Sequence, residues 1–192
     1  KQTQLQDTFG MNMVALVDGR PRLLNLKDML EAFLSHRREV ITRRTVFELR
    51  KARDRGHVLE GLAVALSNVD EVIALIKAAP TPADAKRDLM ARTWTSALVT
   101  EMLVRASAQA SRPDGLAPEF GLSKRGYLLS DVQAQAILEL RLQRLTGLEQ
   151  DKIVAEYKEV MEIIADLLDI LARPERISEM IVEELTGIRA QF

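Results

Sequence analysis

The feature that most constrains the fold is a stretch of about forty residues, from Asn25 to Leu66, that contains no proline. Asn25 can cap the start of a helix, and Asp28 then faces the positive end of its dipole. Gly56 and Gly61 are the weak points, each costing about 1 kcal/mol relative to alanine. Such a helix would be roughly 60 Å long. The sequence therefore predicts a helix that projects or pairs along its length.

A second long helix is predicted near the other end of the chain. Its apolar positions follow the spacing of a coiled-coil seam: Ile153, Tyr157, Val160, Ile164, Leu167 and Leu171. Pro174 interrupts this pattern, and a helical pattern resumes after it. Two long helices separated by shorter ones indicate an antiparallel pair with a globular tip.

Helix start signals mark the shorter helices between them. Thr81 with Asp84, Ser130 with Gln133, and Thr146 with Glu149 each have the spacing of an N-terminal cap. A loop rich in proline and glycine is predicted over 111–126.

The N-terminal region predicts a β-hairpin. Asp18-Gly19 lies between two apolar runs, and this pair is typical of a tight hairpin turn. Pro21 cannot donate to a strand ladder, so the second strand should be short or at an edge. We expect this hairpin to be the only β-structure. The predicted fold is mainly α: a long antiparallel coiled-coil helix pair with a small globular helical tip, plus one short β-hairpin near the N-terminus.

The two long helices carry opposite charge. Residues 36–57 contain eight basic and three acidic groups, a net charge of +5, whereas residues 149–171 have a net charge of −5. Opposite charges beside a shared seam favour pairing of the two helices. The alternative is that the basic helix contacts DNA phosphates. The candidate DNA-facing residues are Arg37, Arg38, Arg43, Arg44 and Arg50.

Composition and motifs exclude several classes of function. The chain contains no cysteine, which excludes disulfides, and the net charge of −1 gives no bulk attraction to a polyanion. No apolar stretch approaches the roughly 20 residues needed to span a bilayer, so we expect a cytoplasmic protein without membrane contact.

No phosphate-binding loop or metal motif is found. His36 and His57, about 31 Å apart on one helix, cannot share a metal. We therefore expect no catalytic, cofactor-binding or metal-binding residue. Because the chain starts at Lys1, we also expect a fragment of a larger protein.

Three segments carry a resemblance to a known family. They read "NLKDMLEAFLSHRREVITRRTVFELRKARDRGHVLEGLAVALSNVDEVI", "QAQAILELRLQRLTGLE" (133–149) and "EYKEVMEIIADLLDIL". In this order they resemble the A subunit of bacterial DNA gyrase, a type IIA DNA topoisomerase, and the resemblance covers essentially all 192 residues. The related subunit of topoisomerase IV is similar too, although "RRTVFELRKARDR" looks more like gyrase.

This resemblance implies an order of segments along the chain. They are the end of the tower region (1–24), a descending coiled-coil helix (25–66), a helical exit gate that dimerises through its tip (67–148), and a returning coiled-coil helix (149–192). In the family the gate holds the subunit dimer together and releases the transported DNA duplex during ATP-dependent supercoiling. The catalytic tyrosine lies in an earlier domain that nothing here matches. ATP and Mg²⁺ are implied only through other domains, and the gyrase B subunit is the implied partner in a heterotetramer.

The same resemblance places the dimer interface mainly on 121–148. The candidates on a predicted helix over 131–145 lie on one face: Leu138, Arg141, Leu142 and Leu145. Alternatively, the leucines belong to the core of a single chain. An arginine on this stripe is easier to explain at a symmetric or wet interface. Toxins that poison gyrase occupy this gate, which makes Arg141 a candidate toxin contact.

Three rival functions remain open at this stage. The chain could be the corresponding part of topoisomerase IV, an autonomous DNA-binding coiled coil that uses helix 36–57, or a scaffold unrelated to DNA. A steep salt dependence of duplex binding would favour the second. A monomeric mass in solution would count against the gate.

Overall fold

The computed structural model describes residues 9–106, 111–140 and 147–191. In chain order their elements are β1 (Met13–Val17), β2 (Arg20–Leu24), α1 (Leu26–Ser67), α2 (Val69–Ala78), α3 (Pro82–Ala91), β3 (Thr93–Trp94), α4 (Ala97–Ala106), β4 (Gly121–Ser123), β5 (Gly126–Leu128), α5 (Asp131–Leu138), α6 (Gly147–Ala172) and α7 (Pro174–Arg189). The mainly α prediction is therefore confirmed. Unit 1 comprises the described residues of Lys1–Arg44 and Arg173–Phe192, and unit 2 those of Thr45–Ala172.

Unit 1 contains the predicted hairpin. β1 and β2 pair antiparallel, with Val17 opposite Arg20. Asp18 and Gly19 join them with φ angles of 52° and 74°, the left-handed conformation that a two-residue turn of this kind requires. The predicted cap also forms, because the side chain of Asn25 accepts the Asp28 N–H at 2.8 Å. Local chemistry therefore sets both the hairpin and the start of α1.

Unit 2 is built around the predicted antiparallel helix pair. Gly56 of α1 faces Val160 of α6, while Glu60, one turn later in α1, meets Tyr157, which lies earlier in α6. The seam positions of α6 from Ile153 to Leu167 are buried, and Leu171 packs against the core. The heptad prediction and the antiparallel pairing are confirmed.

A second sheet contradicts the expectation that the hairpin is the only β-structure. β3, β5 and β4 form a three-stranded antiparallel sheet with β5 in the middle. A Cβ at Gly126 would lie 2.6 Å from the Trp94 carbonyl oxygen, so only glycine lets β5 approach β3 this closely. Strands of two or three residues are too short to give a period-two pattern. For that reason β4 lies within the segment 111–126 that was predicted to be a loop.

Two of the predicted caps on the shorter helices are confirmed. The Thr81 hydroxyl accepts the Asp84 N–H at 3.1 Å, and Ser130 and Gln133 form a complete capping box. Thr146, the third predicted cap, lies outside the described residues. Pro174 begins α7, as its interruption of the pattern predicted.

α5 is shorter than predicted. The helix ends at Leu138 and does not include residues 139 and 140. At this end the α-helical hydrogen bonds give way to a shorter one, in which the Leu140 N–H donates to the Ile137 carbonyl three residues back. Neither glycine nor proline marks this end in the sequence, so local propensity gave no signal. Residues 141–146 lie outside the described residues. Among the described helices, none is long and apolar enough to cross a membrane.

Candidate functional site

Of the four predicted dimer-interface residues, the structure describes Leu138. It is half-buried at the end of α5. There it borders an apolar cavity of about 290 Å³ whose other lining residues are Ala65, Val69, Val72, Ile73, Ile76, Lys77, Ile137 and Leu140. Arg141, Leu142 and Leu145 lie outside the described residues. The dimer interface therefore stays a prediction. Of its four residues, Leu138 lies at the edge of an apolar surface.

The arginines of the basic segment are used in different ways. Arg55 pairs with Glu156 of α6 at 2.6 Å, as the charge match between the two helices predicts. Arg37 and Arg44 both pair with Glu184 of α7, which lies beyond the acidic stretch 149–171.

The five candidate DNA-facing residues are not equally exposed. Arg38, Arg43 and Arg50 are exposed, whereas Arg37 and Arg44 are half-buried against their shared partner. Arg43 also pairs with Glu39, one turn earlier in α1. Arg38 and Arg50 are therefore the members of the predicted surface that remain best placed to meet an anion.

Unit 2 also contains a buried carboxylate that the sequence reasoning missed. Glu60 is only 5% exposed. Its Oε1 accepts from the Ser111 hydroxyl at 3.0 Å and from the Tyr157 hydroxyl at 3.1 Å. Its Oε2 accepts from the Tyr127 hydroxyl at 2.9 Å. Burial raises the pKa of Glu60, while the three hydroxyl donors and nearby Arg112 lower it, and the net direction is upward.

Gln133 extends this network to α5 and to a second titratable group. Its side-chain nitrogen donates to the Tyr127 hydroxyl at 2.7 Å and to the His57 carbonyl at 2.7 Å. The His57 ring also lies 2.7 Å from the Ser130 hydroxyl. Burial, with a smaller contribution from Arg112, lowers the pKa of His57 from 6.5 to about 4. His57 is itself buried, with 5% of its surface exposed.

Both tyrosines are polar members of this network, and Tyr157 also occupies the predicted seam. Each is buried, and burial followed by the charge of Glu60 raises the pKa of both hydroxyls above 10. Tyr127 and Tyr157 therefore stay protonated and act as donors.

A cavity of about 340 Å³ adjoins this network. The polar residues of its lining are His57, Glu60, Ser111 and Arg112. The guanidinium of Arg112 donates to the carbonyl oxygens of Leu116, Ala117 and Phe120, which fixes the loop before β4. Within the described ranges, no group of His, Cys, Asp or Glu side chains is arranged to hold a metal ion. Hydrogen bonds from three hydroxyl groups hold the buried Glu60 side chain in place.

One sequence signal pointed to this network. The segment "HVLEGLAVAL" (57–66) is apolar except for His57 and Glu60. An acidic residue in such a run is seldom buried without partners. Its partners come from positions 111, 127 and 157, which only the fold brings together.

Comparisons with a family model and with known proteins match this chain to the same family. The family described as the A subunit of DNA gyrase/topoisomerase IV matches residues 1–186. The chain is 61% identical over 191 residues to the DNA gyrase A subunit of Pseudomonas aeruginosa, a match that covers 100% of this chain and 21% of that protein. It is 60% identical over 156 residues to the DNA gyrase A subunit of Escherichia coli, covering 81% of this chain and 18% of that protein. The chain thus spans about a fifth of the length of these relatives. It belongs to the family of DNA gyrase/topoisomerase IV A subunits.

Proposed function

We propose that this chain is the exit-gate and coiled-coil part of a gyrase-type A subunit. In this role it holds two subunits together and opens to release the transported DNA duplex during ATP-dependent supercoiling. The observation that carries the proposal is the antiparallel pair of α1 and α6 in unit 2, joined to a small helical body that presents Leu138 beside an apolar cavity. Membership of the family supports the same role.

A gate must close tightly enough to hold a dimer and still separate in every cycle. The predicted face combines three leucines with one arginine. Apolar burial favours association, while the desolvation of Arg141 opposes it. A face of this mixed composition suits an interface that opens repeatedly better than one that is permanently shut.

The test is substitution of Leu142 by Asp. An unpaired charge at the centre of the interface should weaken dimerisation by about a hundredfold, since it costs roughly 3 kcal/mol. The matched control is Ile163→Asp, which places the same charge on an exposed apolar residue of α6. Sedimentation equilibrium of the two variants and the parent chain gives the dissociation constants.

Dimerisation that survives Leu142→Asp, or that is lost equally with Ile163→Asp, would contradict the predicted interface. A circular dichroism spectrum unchanged from the parent shows that the variant remains folded.

The exposure of Arg38 and Arg50 supports a second, transient function as a DNA surface. Each phosphate contact releases counterions, so Arg38→Gln and Arg50→Gln should each lower the slope of log K against log salt by about 1. Arg87→Gln, which removes an exposed arginine outside the basic segment, is the control. Equal slopes in all three variants would rule out this surface.

The remaining partners belong to the same proposal. The gyrase B subunit would complete the heterotetramer, and other domains of the complex would supply ATP and Mg²⁺ chemistry in the cytoplasm. Arg141 would contact a gyrase-poisoning toxin that occupies the gate. This chain itself would contribute no catalytic group.

A further inference from the structure

The hydrogen-bond directions around Glu60 can be assigned from groups that have only one role. The Ser130 backbone N–H can only donate, and it lies 3.0 Å from the Gln133 side-chain oxygen. The amide nitrogen of Gln133 therefore points the other way and donates to the Tyr127 hydroxyl oxygen. The proton of Tyr127 is then free to point at Glu60.

The resulting pattern is that of a charged carboxylate. Hydroxyls of Ser111, Tyr127 and Tyr157 lie within 3.1 Å of its two oxygens. An ionised carboxylate only accepts hydrogen bonds, and three donors on two oxygens satisfy it. These donors come from the loop before β4, from β5 and from α6.

We propose that the ionised Glu60 side chain is a coupling element that links α6 to α5 through Tyr157 on one side and through Tyr127 and Gln133 on the other. Hydrogen bonds that share one charge polarise each other, so the loss of one donor changes the strength of the remaining ones. A displacement of α6 is thereby transmitted to α5. Because α5 carries Leu138, the consequence for gate opening rests on the proposed function, whereas the coupling itself does not.

The surroundings of the carboxylate are compatible with a buried charge. Among the described residues, the titratable groups beside it are His57 from its own helix, Arg112 from the loop, Tyr127 from β5 and Tyr157 from α6. Arg112 is the cation among them, and its effect on the pKa of Glu60 is downward. Burial opposes it, so the charge depends on the three hydroxyl donors.

Hydrogen exchange on the chain tests the coupling. Tyr157→Phe removes one hydroxyl from α6, yet we expect exchange of the α5 amides to become about tenfold faster, the effect of losing one hydrogen bond to a charged group. In a Glu60→Gln background, which removes the charge and keeps the size, the same substitution should leave α5 exchange unchanged. Thr100→Val, which removes an exposed hydroxyl of α4, is the control and should leave α5 unchanged.

Two exchange results would overturn the proposal. One is that Tyr157→Phe accelerates exchange in α6 alone. The other is that α5 exchange rises equally in the parent and Glu60→Gln backgrounds, which would indicate general destabilisation without a shared charge. Neither result depends on dimerisation, so a failure of the gate assignment is distinguished from a failure of the coupling.

The charge state has its own measurement, which needs no variant. The side-chain carboxyl carbon of Glu60, followed by ¹³C NMR, should show an ionised carboxylate at neutral pH. A protonated Glu60 at that pH would refute the proposal even if every variant failed to fold.

Discussion

His57 shows how the fold assigns a chemical state to a single side chain. Its Nδ1 lies 3.2 Å from the Gln133 amide nitrogen, a group that cannot accept a hydrogen bond, so a proton on Nδ1 would find no acceptor there. Its Nε2 lies 2.7 Å from the Ser130 hydroxyl and carries the proton of the neutral ring. Protonating Nδ1 would place two donors against each other. The geometry therefore agrees with the lowered pKa of His57.

The first prediction concerns acid stability. The pKa of His57 is about 4 in the folded chain and 6.5 ordinarily, so the unfolded state binds its proton first as the pH falls. The stabilisation from neutral His57 is present above pH 6.5 and is lost towards pH 4, up to about 3 kcal/mol. His57→Gln should remove this loss, as measured by urea unfolding at several pH values.

Glu60 contributes to the pH dependence with the opposite sign. Its raised pKa stabilises the folded chain as the pH falls towards the ordinary value of 4.5. The Glu60 contribution is the same in the parent chain and in His57→Gln. The difference between their unfolding free energies at each pH therefore reports on His57 alone. The exposed His36 gives the matched control, since His36→Gln should keep the acid loss of the parent. Equal pH slopes for the parent and His57→Gln would refute the assignment.

At the scale of elements, the contact between α1 and α5 depends on a missing side chain. A Cβ on Gly61 would lie 2.7 Å from Cβ and Cγ of Gln133. Such an approach forces a buried and fully hydrogen-bonded side chain to move. Gly61, which looked from the sequence like a weak point of a long helix, is required for this packing.

The second prediction compares two helical glycines. Gly61→Ala should destabilise unit 2 by about 1–3 kcal/mol, because the overlap with Gln133 outweighs the gain in helix propensity. Gly187→Ala should stabilise unit 1 by about 0.5–1 kcal/mol, because nothing lies within 4 Å of the new methyl group. Hydrogen exchange in each unit measures both changes, and a stabilising Gly61→Ala would contradict the packing.

Elements with local signals were predictable from the sequence. The Asp18-Gly19 turn and the Ser130–Gln133 capping box each depend on a few neighbouring residues, and both form as predicted. The second sheet and the end of α5 at Leu138 depend on tertiary contacts instead. Neither the second sheet nor the end of α5 is marked by a pattern of neighbouring residues in the sequence.

At the scale of the whole molecule, the pairing of α1 with α6 was predicted from residue spacing and charge, whereas the function was predicted from the family resemblance. The heptad spacing from Ile153 to Leu171 predicted the seam, and the opposite charges predicted a pair such as Arg55 with Glu156. The predicted dimer face came from a resemblance. The partners of Glu60 could not be predicted, because they come from distant positions along the chain.

The gate assignment requires two copies of the chain to associate through unit 2. Leu138 borders an apolar surface there, and a second copy that covers this surface would bury it from water. Association should therefore follow mass action and depend on chain concentration.

The most direct measurement is the mass of the chain in solution across the micromolar range, by sedimentation equilibrium. The account predicts a concentration-dependent mass that rises from the 21.6 kDa of one chain to twice that value. A mass that stays at 21.6 kDa at every concentration would contradict the gate assignment.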